Sequence, residues 1–473
     1  MPLSSLHFIF IFLPVFLALY YILPFGLWRS GILLTGSLIF FGWVDPKNLP
    51  LLLLIILLDY ISGRIIGSAL DRGDRQTAKT AMRVSVGINL LALIFYKYTG
   101  FLADILSGIS GITFDYEQSA LPLGISFFTF AGISYLLDIY NTAEKAEKNL
   151  LTFGAYLTMF PKLLQGPITR FGQVRNELLK PPCLNVEDLS EGARRFIAGL
   201  SKKVLLADPL GVATEKIFSA DFNLLSGSAA WFGLLAYTLQ IFLDFSGYTD
   251  MAIGIGRMLG FKLPENFNYP YISRSITDFW RRWHMTLTAW FRTYLFIPLE
   301  FARKREKFLR QQSNILVVFL LTGLWHGANW NFIIWGVYFG VILAAEASGL
   351  GKLLKKTPVV VQHIYALALI MLGWVFFRID NTADWVPFIS ALFGANGGQA
   401  EVTVRSLNII LYIPILFLAA VFSTRLFSYI DTLVQSREKW VMMSVDILYL
   451  FLFILSISAI LAKGFLVFLY AQF

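Results

Sequence analysis

Apolar runs alternate with short polar segments from one end of the chain to the other. Many of the runs approach 20 residues, the length of helix needed to cross the ~30 Å hydrocarbon core of a bilayer. In chain order the runs predict spans over 6–24, 30–44, 48–68, 84–108, 120–140, 149–165, 188–207, 228–247, 272–298, 314–327, 329–348, 358–378, 406–427 and 442–470. Some are short, and the ninth is amphipathic. The pattern predicts an all-α polytopic membrane protein with roughly 11 to 13 transmembrane or re-entrant helices.

The apolar pattern continues without a linker to a soluble domain. We therefore expect one integral-membrane domain over residues 1–473, with a core over 120–345 that carries the site and C-terminal helices over 346–473. The first apolar run, Phe8 to Phe25, lacks the basic segment that precedes the apolar part of a signal peptide. We interpret this run as the first transmembrane helix.

Charge and cysteine content refine this picture. The net charge is +9 while 57% of the residues are apolar, and the basic residues lie mainly in short loops, as they do at the cytoplasmic side of membrane proteins. This favours the lipid bilayer over nucleic acid as the partner. Basic segments at 72–83, 303–310 and 352–356 predict cytoplasmic loops and therefore an N-terminus outside. The single cysteine, Cys183, excludes an intrachain disulfide.

One histidine lies in an apolar, aromatic segment with glycine close by on both sides, Gly323-Leu324-Trp325-His326-Gly327. Glycine permits close backbone approach and lets a helix end beside the imidazole. Burial favours the neutral, basic form of a histidine. We predict that His326 is a general base, with a structural hydrogen bond to a neighbouring carbonyl as the alternative.

A second histidine, His284, follows the run Trp280-Arg281-Arg282-Trp283 in the amphipathic span. For the arginines and tryptophans, an interfacial helix with snorkelling arginines and an aromatic belt is the favoured interpretation. For His284, a structural and a chemical role stay equally open. There is no HExxH motif, and the two histidines do not share i,i+4 spacing. We therefore predict neither a metal site nor a bound cofactor.

Carboxylates also occur inside apolar sequence. Asp244 and Asp250 lie within or at the end of one run, with Gln240 and Tyr237 as plausible hydrogen-bonding neighbours on the same helix. A carboxylate at membrane depth is costly and usually paired. It orients a histidine, contacts an arginine or carries a coupled ion, and simple structural pairing is an equal alternative.

The chain resembles the membrane-bound O-acyltransferase (MBOAT) superfamily over about residues 5 to 345. The resemblance is closest to the bacterial branch that O-acetylates alginate and extends to the D-alanyl-lipoteichoic acid transfer protein. It rests on the two histidine segments and on Leu121–Phe130, Gln165–Ile168, Asp244–Tyr248 and Glu265–Tyr271.

The resemblance implies tilted helices around a buried histidine, between a funnel on one side and a tunnel on the other. His326 matches the invariant histidine of the family, and His284 matches its second polar position. The supporting residues in the matching segments are Asp244, Tyr248, Trp325, Asn329, Trp283 and Asn266, and Gln240 joins them from the same apolar run as Asp244. The resemblance also implies a bacterial cytoplasmic (inner) membrane.

The implied reaction moves an acetyl group from a cytoplasmic thioester, acetyl-CoA, to a hydroxyl of an exported polysaccharide or to a periplasmic or extracellular acetyltransferase partner. His326 would take the hydroxyl proton, while His284 or a nearby donor would stabilise the oxyanion.

Two alternatives remain open. The first is D-alanyl transfer to teichoic acid, in which the basic segment 303–310 docks an acidic acyl carrier protein; acetylation of peptidoglycan or cellulose is a variant of the leading interpretation. The second, from another class, is a transporter or polysaccharide export channel. Transporters commonly carry paired broken helices in two related halves, and the sequence shows no such pairing.

Overall fold

The computed structural model describes residues 2–23, 26–112, 121–142, 144–180, 183–302, 310–396, 402–425 and 439–463. Within these ranges the regular structure is helical, apart from one isolated β-bridge between Leu225 and Val402. The all-α prediction is confirmed.

The α-helices of the described residues are α1 Leu13–Tyr21, α2 Gly26–Val44, α3 Leu49–Asp71, α4 Arg75–Ser110, α5 Ile125–Thr142, α6 Leu150–Thr158, α7 Phe160–Leu163, α8 Phe171–Leu179, α9 Val186–Ser201, α10 Asp208–Phe218, α11 Gly227–Met258, α12 Ile276–Trp280, α13 Met285–Phe291, α14 Ile297–Ala302, α15 Arg310–His326, α16 Trp330–Ala345, α17 Gly351–Leu354, α18 Val359–Arg378, α19 Trp385–Leu392, α20 Ile413–Phe422 and α21 Lys439–Lys463.

Short helices of other types join or extend them. Segments of π-helix are Phe8–Phe12, Lys202–Ala207, Arg292–Phe296 and Glu346–Leu350. Segments of 3-10 helix are Pro46–Asn48, Phe222–Leu224, Pro270–Ile272, Thr382–Asp384 and Ile409–Tyr412.

Seven helices in the described ranges are long and apolar enough to cross a bilayer: Gly26–Val44, Pro46–Asp71, Arg75–Ser110, Gly227–Met258, Trp330–Leu354, Val359–Arg378 and Trp440–Ala462. Two shorter apolar helices are Phe8–Tyr21 and Ile409–Phe422. The chain is therefore a polytopic membrane protein. The larger total of 11 to 13 helices stays a prediction, because several predicted spans are short or broken.

The predicted span 149–165 shows how such a break arises. Asn149 caps α6, because its side-chain oxygen accepts the N–H of Leu151 at 2.9 Å. The helix then ends at Thr158, because the backbone of the next residue, Met159, is non-helical at φ −38° and ψ 106°. Pro161 follows at the start of α7, a position where its missing N–H removes no helical hydrogen bond.

The chain folds into two compact units, one formed by Met1–Phe196 with Thr249–Glu265 and the other by Ile197–Tyr248 with Asn266–Phe473. The first unit contains α1 to α8 and a cluster of phenylalanines around Phe8 and Phe160, whose ring centroids lie 6.0 Å apart. The second unit contains one large cluster of buried apolar side chains and both candidate histidines. The single-domain organisation stays a prediction.

Helices α15 and α16 of the second unit pack closely through glycine. A Cβ atom on Gly323 would overlap the carbonyl oxygen of Phe332, and one on Gly336 would overlap the carbonyl oxygen of Phe319. The predicted close backbone approach beside His326 is therefore confirmed, because any side chain on Gly323 would push α16 away.

Candidate active site

His326 is the last residue of α15, and it is only 2% exposed. Its ring centroid lies 4.8 Å from that of Trp325, 5.0 Å from that of Trp335 and 5.2 Å from that of Phe377, each ring at a steep angle to the imidazole. Aromatic rings favour such edge contacts. The three rings fix the orientation of the imidazole and separate it from bulk solvent.

His284 lies between α12 and α13 and is 1% exposed. Its Nδ1 atom lies 3.1 Å from Oδ1 of Asn266, and its ring centroid lies 4.8 Å from that of Phe245. Its Nε2 atom has no hydrogen-bond partner among the residues that the structure describes. His284 is outside the seven candidate spans, and burial lowers the pKa of its imidazole to about 3. The ring is therefore neutral at physiological pH.

Trp325 contacts both imidazoles. Its ring centroid lies 5.9 Å from that of His284 and 4.8 Å from that of His326. The structure thus brings together the two histidines singled out by the sequence, and it places Trp325, a predicted supporting residue, against both.

The prediction of one amphipathic helix over 272–298 is wrong, because the chain breaks at His284. This residue has φ 43° and ψ 52°, a left-handed conformation that costs a non-glycine residue roughly 1–2 kcal/mol. The next N–H, that of Met285, donates to the backbone oxygen of Asn266 at 2.9 Å and not to a carbonyl four residues earlier. A contact that is distant in sequence therefore replaces the helical hydrogen bond.

The same break overturns the interpretation of an aromatic belt for two of the tryptophans. Trp280 is 6% exposed and Trp283, a predicted supporting residue, is 1% exposed. The ring of Trp283 packs 5.0 Å from that of Trp374 and 5.1 Å from that of Phe267. An aromatic belt was expected because the amphipathic pattern was interpreted as one continuous helix. The chain breaks at His284 instead, and both indoles lie in the core.

A buried carboxylate fixes the start of the broken segment. Glu346 is 7% exposed, and its two oxygens accept the N–H groups of Ile276 and Thr277, each at 2.8 Å. The hydroxyl of Tyr365 donates to the same carboxylate at 3.1 Å. Negative charge is favourable at a helix N-terminus, so Glu346 anchors α12 and with it the approach to His284.

The two buried aspartates are ion-paired. Lys203 lies on the π-helix after α9, and its Nζ is 2.6 Å from Oδ1 of Asp244 and 2.8 Å from Oδ1 of Asp208. In the other unit, Arg195 pairs with Asp250 at 2.6 Å. Asp250 therefore has an arginine contact, one of the alternatives that the sequence left open. Asp244 has a lysine partner instead, which supports structural pairing.

The remaining predicted residues differ in their surroundings. Asn329 caps α16, because its Oδ1 accepts the N–H of Trp330 at 2.6 Å. Gln240 and Tyr248 lie on α11 and are 8% and 2% exposed. Oδ1 of Asn266, besides contacting His284, accepts two hydrogen bonds from Thr286.

Several residues of the site were missed by sequence reasoning: Phe245, Thr286, Trp335, Glu346, Phe377 and Lys203. They lie on separate helices, and only the three-dimensional fold brings them to the histidines or their supports. Glu346 and Lys203 carried one signal, a charged residue at the edge of an apolar run.

Three tryptophans carry buried indole N–H groups in the aromatic cluster that includes Trp335, whose ring packs on His326. The indole N–H groups of Trp280, Trp335 and Trp374 are buried without a hydrogen-bond partner among the described residues. A buried donor left unpaired costs about 1–3 kcal/mol, and native structures retain few of them. Each of these groups is therefore a candidate hydrogen-bond donor.

A cavity of about 140 Å³ lies beside Trp280, among α13, the following π-helix and α15. Trp280 also contacts Trp335, with ring centroids 5.6 Å apart, and Trp335 packs on His326. The cavity is lined by Trp280, Leu287, Thr288, Phe291, Arg292, Phe296, Ile315, Val318, Phe319 and Thr322. Its walls are mostly apolar, so it suits a thin apolar chain.

Within the described residues, no group of three or more His, Cys, Asp or Glu forms a metal-binding cluster.

The fold and the site define a helical integral membrane protein with two buried histidines packed on one tryptophan. The model of the membrane-bound O-acyltransferase family matches residues 125–377, more than half of the chain and a region that includes both histidines. The chain therefore belongs to the membrane-bound O-acyltransferase family. The predicted enzyme class is confirmed.

Three relatives of named function have different activities. A probable alginate O-acetylase of Azotobacter vinelandii is 40% identical over 80% of this chain and 76% of the relative. The peptidoglycan O-acetyltransferase of Helicobacter pylori is 34% identical over 82% of this chain and 79% of the relative. The teichoic acid D-alanyltransferase of Bacillus subtilis is 33% identical over 47% of this chain and 58% of the relative.

Proposed function

We propose that this protein transfers an acetyl group from acetyl-CoA to a hydroxyl of an exported or cell-surface polysaccharide, directly or through a periplasmic acetyltransferase partner. The observation that carries the proposal is the burial of His284 and His326 against Trp325 in a chain of this family. The acetyl group and the polysaccharide are supported by relatives named for alginate and peptidoglycan O-acetylation, which align over 80% and 82% of the chain.

The proposed reaction starts with neutral His326. Its imidazole accepts the proton of the acceptor hydroxyl while the hydroxyl oxygen attacks the thioester carbonyl carbon, whose π electrons move to the carbonyl oxygen. The tetrahedral intermediate then re-forms the carbonyl, the C–S bond breaks, and the leaving thiolate takes the proton from the imidazolium. Base catalysis of this kind contributes about 10² to 10⁴-fold.

The developing oxyanion needs a hydrogen-bond donor, and Trp335 is the proposed one. Its indole N–H is buried and has no partner among the described residues, and its ring packs 5.0 Å from that of His326. A donor positioned before the reaction stabilises new charge without reorganisation cost. With Trp335 as the donor, His326 is required only for proton transfer.

The donor is proposed to approach from the cytoplasm along the cavity beside Trp280. Apolar walls suit the pantetheine arm, and the exposed Arg292 at the cavity suits a phosphate, which guanidinium groups bind well.

The protein is proposed to lie in the bacterial inner membrane with its N-terminus outside. Protease treatment of intact spheroplasts that carry an N-terminal tag would test this orientation. The proposal expects cleavage of the tag, and an uncleaved tag would place the N-terminus in the cytoplasm.

D-alanyl transfer from a carrier-protein thioester is the second candidate. It is favoured by the similarity to the teichoic acid D-alanyltransferase, 33% identical over 47% of this chain. The basic segment 303–310 is proposed to dock the acidic carrier, and residues 303–309 lie outside the described residues. Membership of an acyltransferase family favours both candidates over a transporter or export channel.

A donor comparison tests the proposal. Purified protein in lipid nanodiscs is incubated with radiolabelled acetyl-CoA or with a D-alanyl carrier-protein thioester, each with alginate, peptidoglycan and teichoic acid fragments. The proposal expects label from acetyl-CoA in a polysaccharide ester. Transfer from the carrier protein alone would overturn it in favour of D-alanyl transfer.

A further inference from the structure

Asn266 is a fixed point beside His284. It is 1% exposed, its backbone oxygen accepts the N–H of Met285, and two residues further on Asn268 donates its N–H to the backbone oxygen of Arg282 at 2.9 Å. The stretch of chain that carries Asn266 is thus bound to the loop that carries His284 on both sides of the imidazole.

The hydrogen-bond partners of the Asn266 side chain show which of its two terminal atoms is the amide oxygen. Oδ1 lies 3.2 Å from the backbone nitrogen of Thr286 and 2.9 Å from its hydroxyl. A backbone N–H only donates, so the atom that faces it must be the amide oxygen. An amide oxygen only accepts, and Nδ1 of His284 lies 3.1 Å from the same atom. Nδ1 must therefore carry a hydrogen.

We propose that Asn266 holds His284 as the Nδ1–H tautomer, so that Nε2 faces the substrate as a hydrogen-bond acceptor. A neutral imidazole has one donor and one acceptor, and the donor is used by Asn266. Nε2 is buried and has no partner among the described residues.

This inference rests on the proposed function for the identity of the substrate group, a second hydroxyl of the polysaccharide acceptor, which donates to Nε2 while His326 removes the proton of the attacking hydroxyl. It changes the expected role of His284. The sequence suggested this residue as a donor to the oxyanion, and the tautomer assigned here removes that donor. Asn266 is accordingly a positioning residue, which acts through His284.

The tautomer is measurable without turnover. The chain has four histidines, so ¹⁵N-histidine labelling in nanodiscs gives few signals, and the His284→Gln spectrum identifies those of His284. At neutral pH the inference expects a protonated Nδ1 and an unprotonated Nε2, which resonates far downfield. A protonated Nε2 would overturn it and leave acetyl transfer intact. The Nδ1–H spectrum in a wild-type protein without transfer would support the tautomer and overturn the function.

Two variants test the role of Asn266. Asn266→Asp keeps an oxygen acceptor and should keep the Nδ1–H signature. Asn266→Leu removes the acceptor, so the other tautomer should appear and transfer should fall about tenfold or more, the effect of losing one buried hydrogen bond. Asn314→Leu is the matched control, since it removes another buried asparagine at the far end of α15 and should leave the His284 signals unchanged. An unchanged tautomer in Asn266→Leu would contradict the inference.

Discussion

His284 and His326 are buried in the same unit and touch the same indole, yet their described neighbours hold them differently. A hydrogen bond to Asn266 fixes His284 and selects which nitrogen carries the proton. Rings of Trp325, Trp335 and Phe377 enclose His326. Edge contacts with aromatic rings fix the direction of an imidazole. The difference supports the proposed roles, in which His284 holds a substrate group and His326 moves a proton.

The largest effect is expected from a change at Lys203, the buried cation that pairs with Asp244. Lys203→Met would leave Asp244 and Asp208 without their cation, next to Phe245, which packs on His284. Loss of one partner of a buried ion pair costs about 3–5 kcal/mol, so we expect a matching fall in the free energy of unfolding.

Denaturation in mild detergent measures this change. The double variant Lys203→Met/Asp244→Leu should recover part of the loss, because it removes one uncompensated carboxylate. Equal stability of wild type and Lys203→Met would show that the buried pair does not support this side of the site.

The next largest effect is expected from a change at Trp335, whose ring packs on His326. Trp335→Phe keeps an aromatic ring against His326 and removes the indole N–H. Loss of one preorganised oxyanion donor costs about 10² to 10³-fold in turnover, so transfer should fall by that factor while binding of the donor changes little. The measurement is kcat and KM for acetyl transfer.

Trp374→Phe is the control. It removes another buried indole N–H that has no partner within the described ranges, and the described contacts of His326 do not include its ring. A rate for Trp335→Phe equal to that of this control would argue against Trp335 as the donor.

The smallest expected effect is at Asn329. The structure gives this residue a capping bond to Trp330, so Asn329→Ala should lower the free energy of unfolding by about 0.5–2 kcal/mol. Turnover of the folded variant should stay near that of wild type.

Asn329→Asp preserves a capping oxygen and should restore stability. A large loss of turnover in a fully folded Asn329→Ala protein would instead place this residue among the groups that contact substrate.

Much of the helical fold and both histidines were predictable from local sequence. Long apolar runs identify helices such as α3 and α18, because burial in a bilayer demands continuous apolar helix. Glycine beside His326 predicted its close packing. The break at His284 was not predictable, since its cause is a hydrogen bond to Asn266, a residue distant in sequence.

The supports of the site illustrate the same limit. The sequence identifies Asp244 as a carboxylate inside an apolar run. Its partner Lys203 lies on another helix, and no sequence pattern connects the two residues. Trp335 looked like one more aromatic residue in an apolar run. Its contact with His326 follows from the close packing of α15 on α16, which depends on Gly323 and Gly336 together.

The most direct test of the central claim is acetyl transfer by wild type and His326→Ala in nanodiscs, with radiolabelled acetyl-CoA, a polysaccharide acceptor and a check that both proteins are folded. The account predicts ester formation by wild type and a fall of about 10² to 10⁴-fold in the variant, the usual contribution of a general base. Transfer by His326→Ala at the wild-type rate would contradict it.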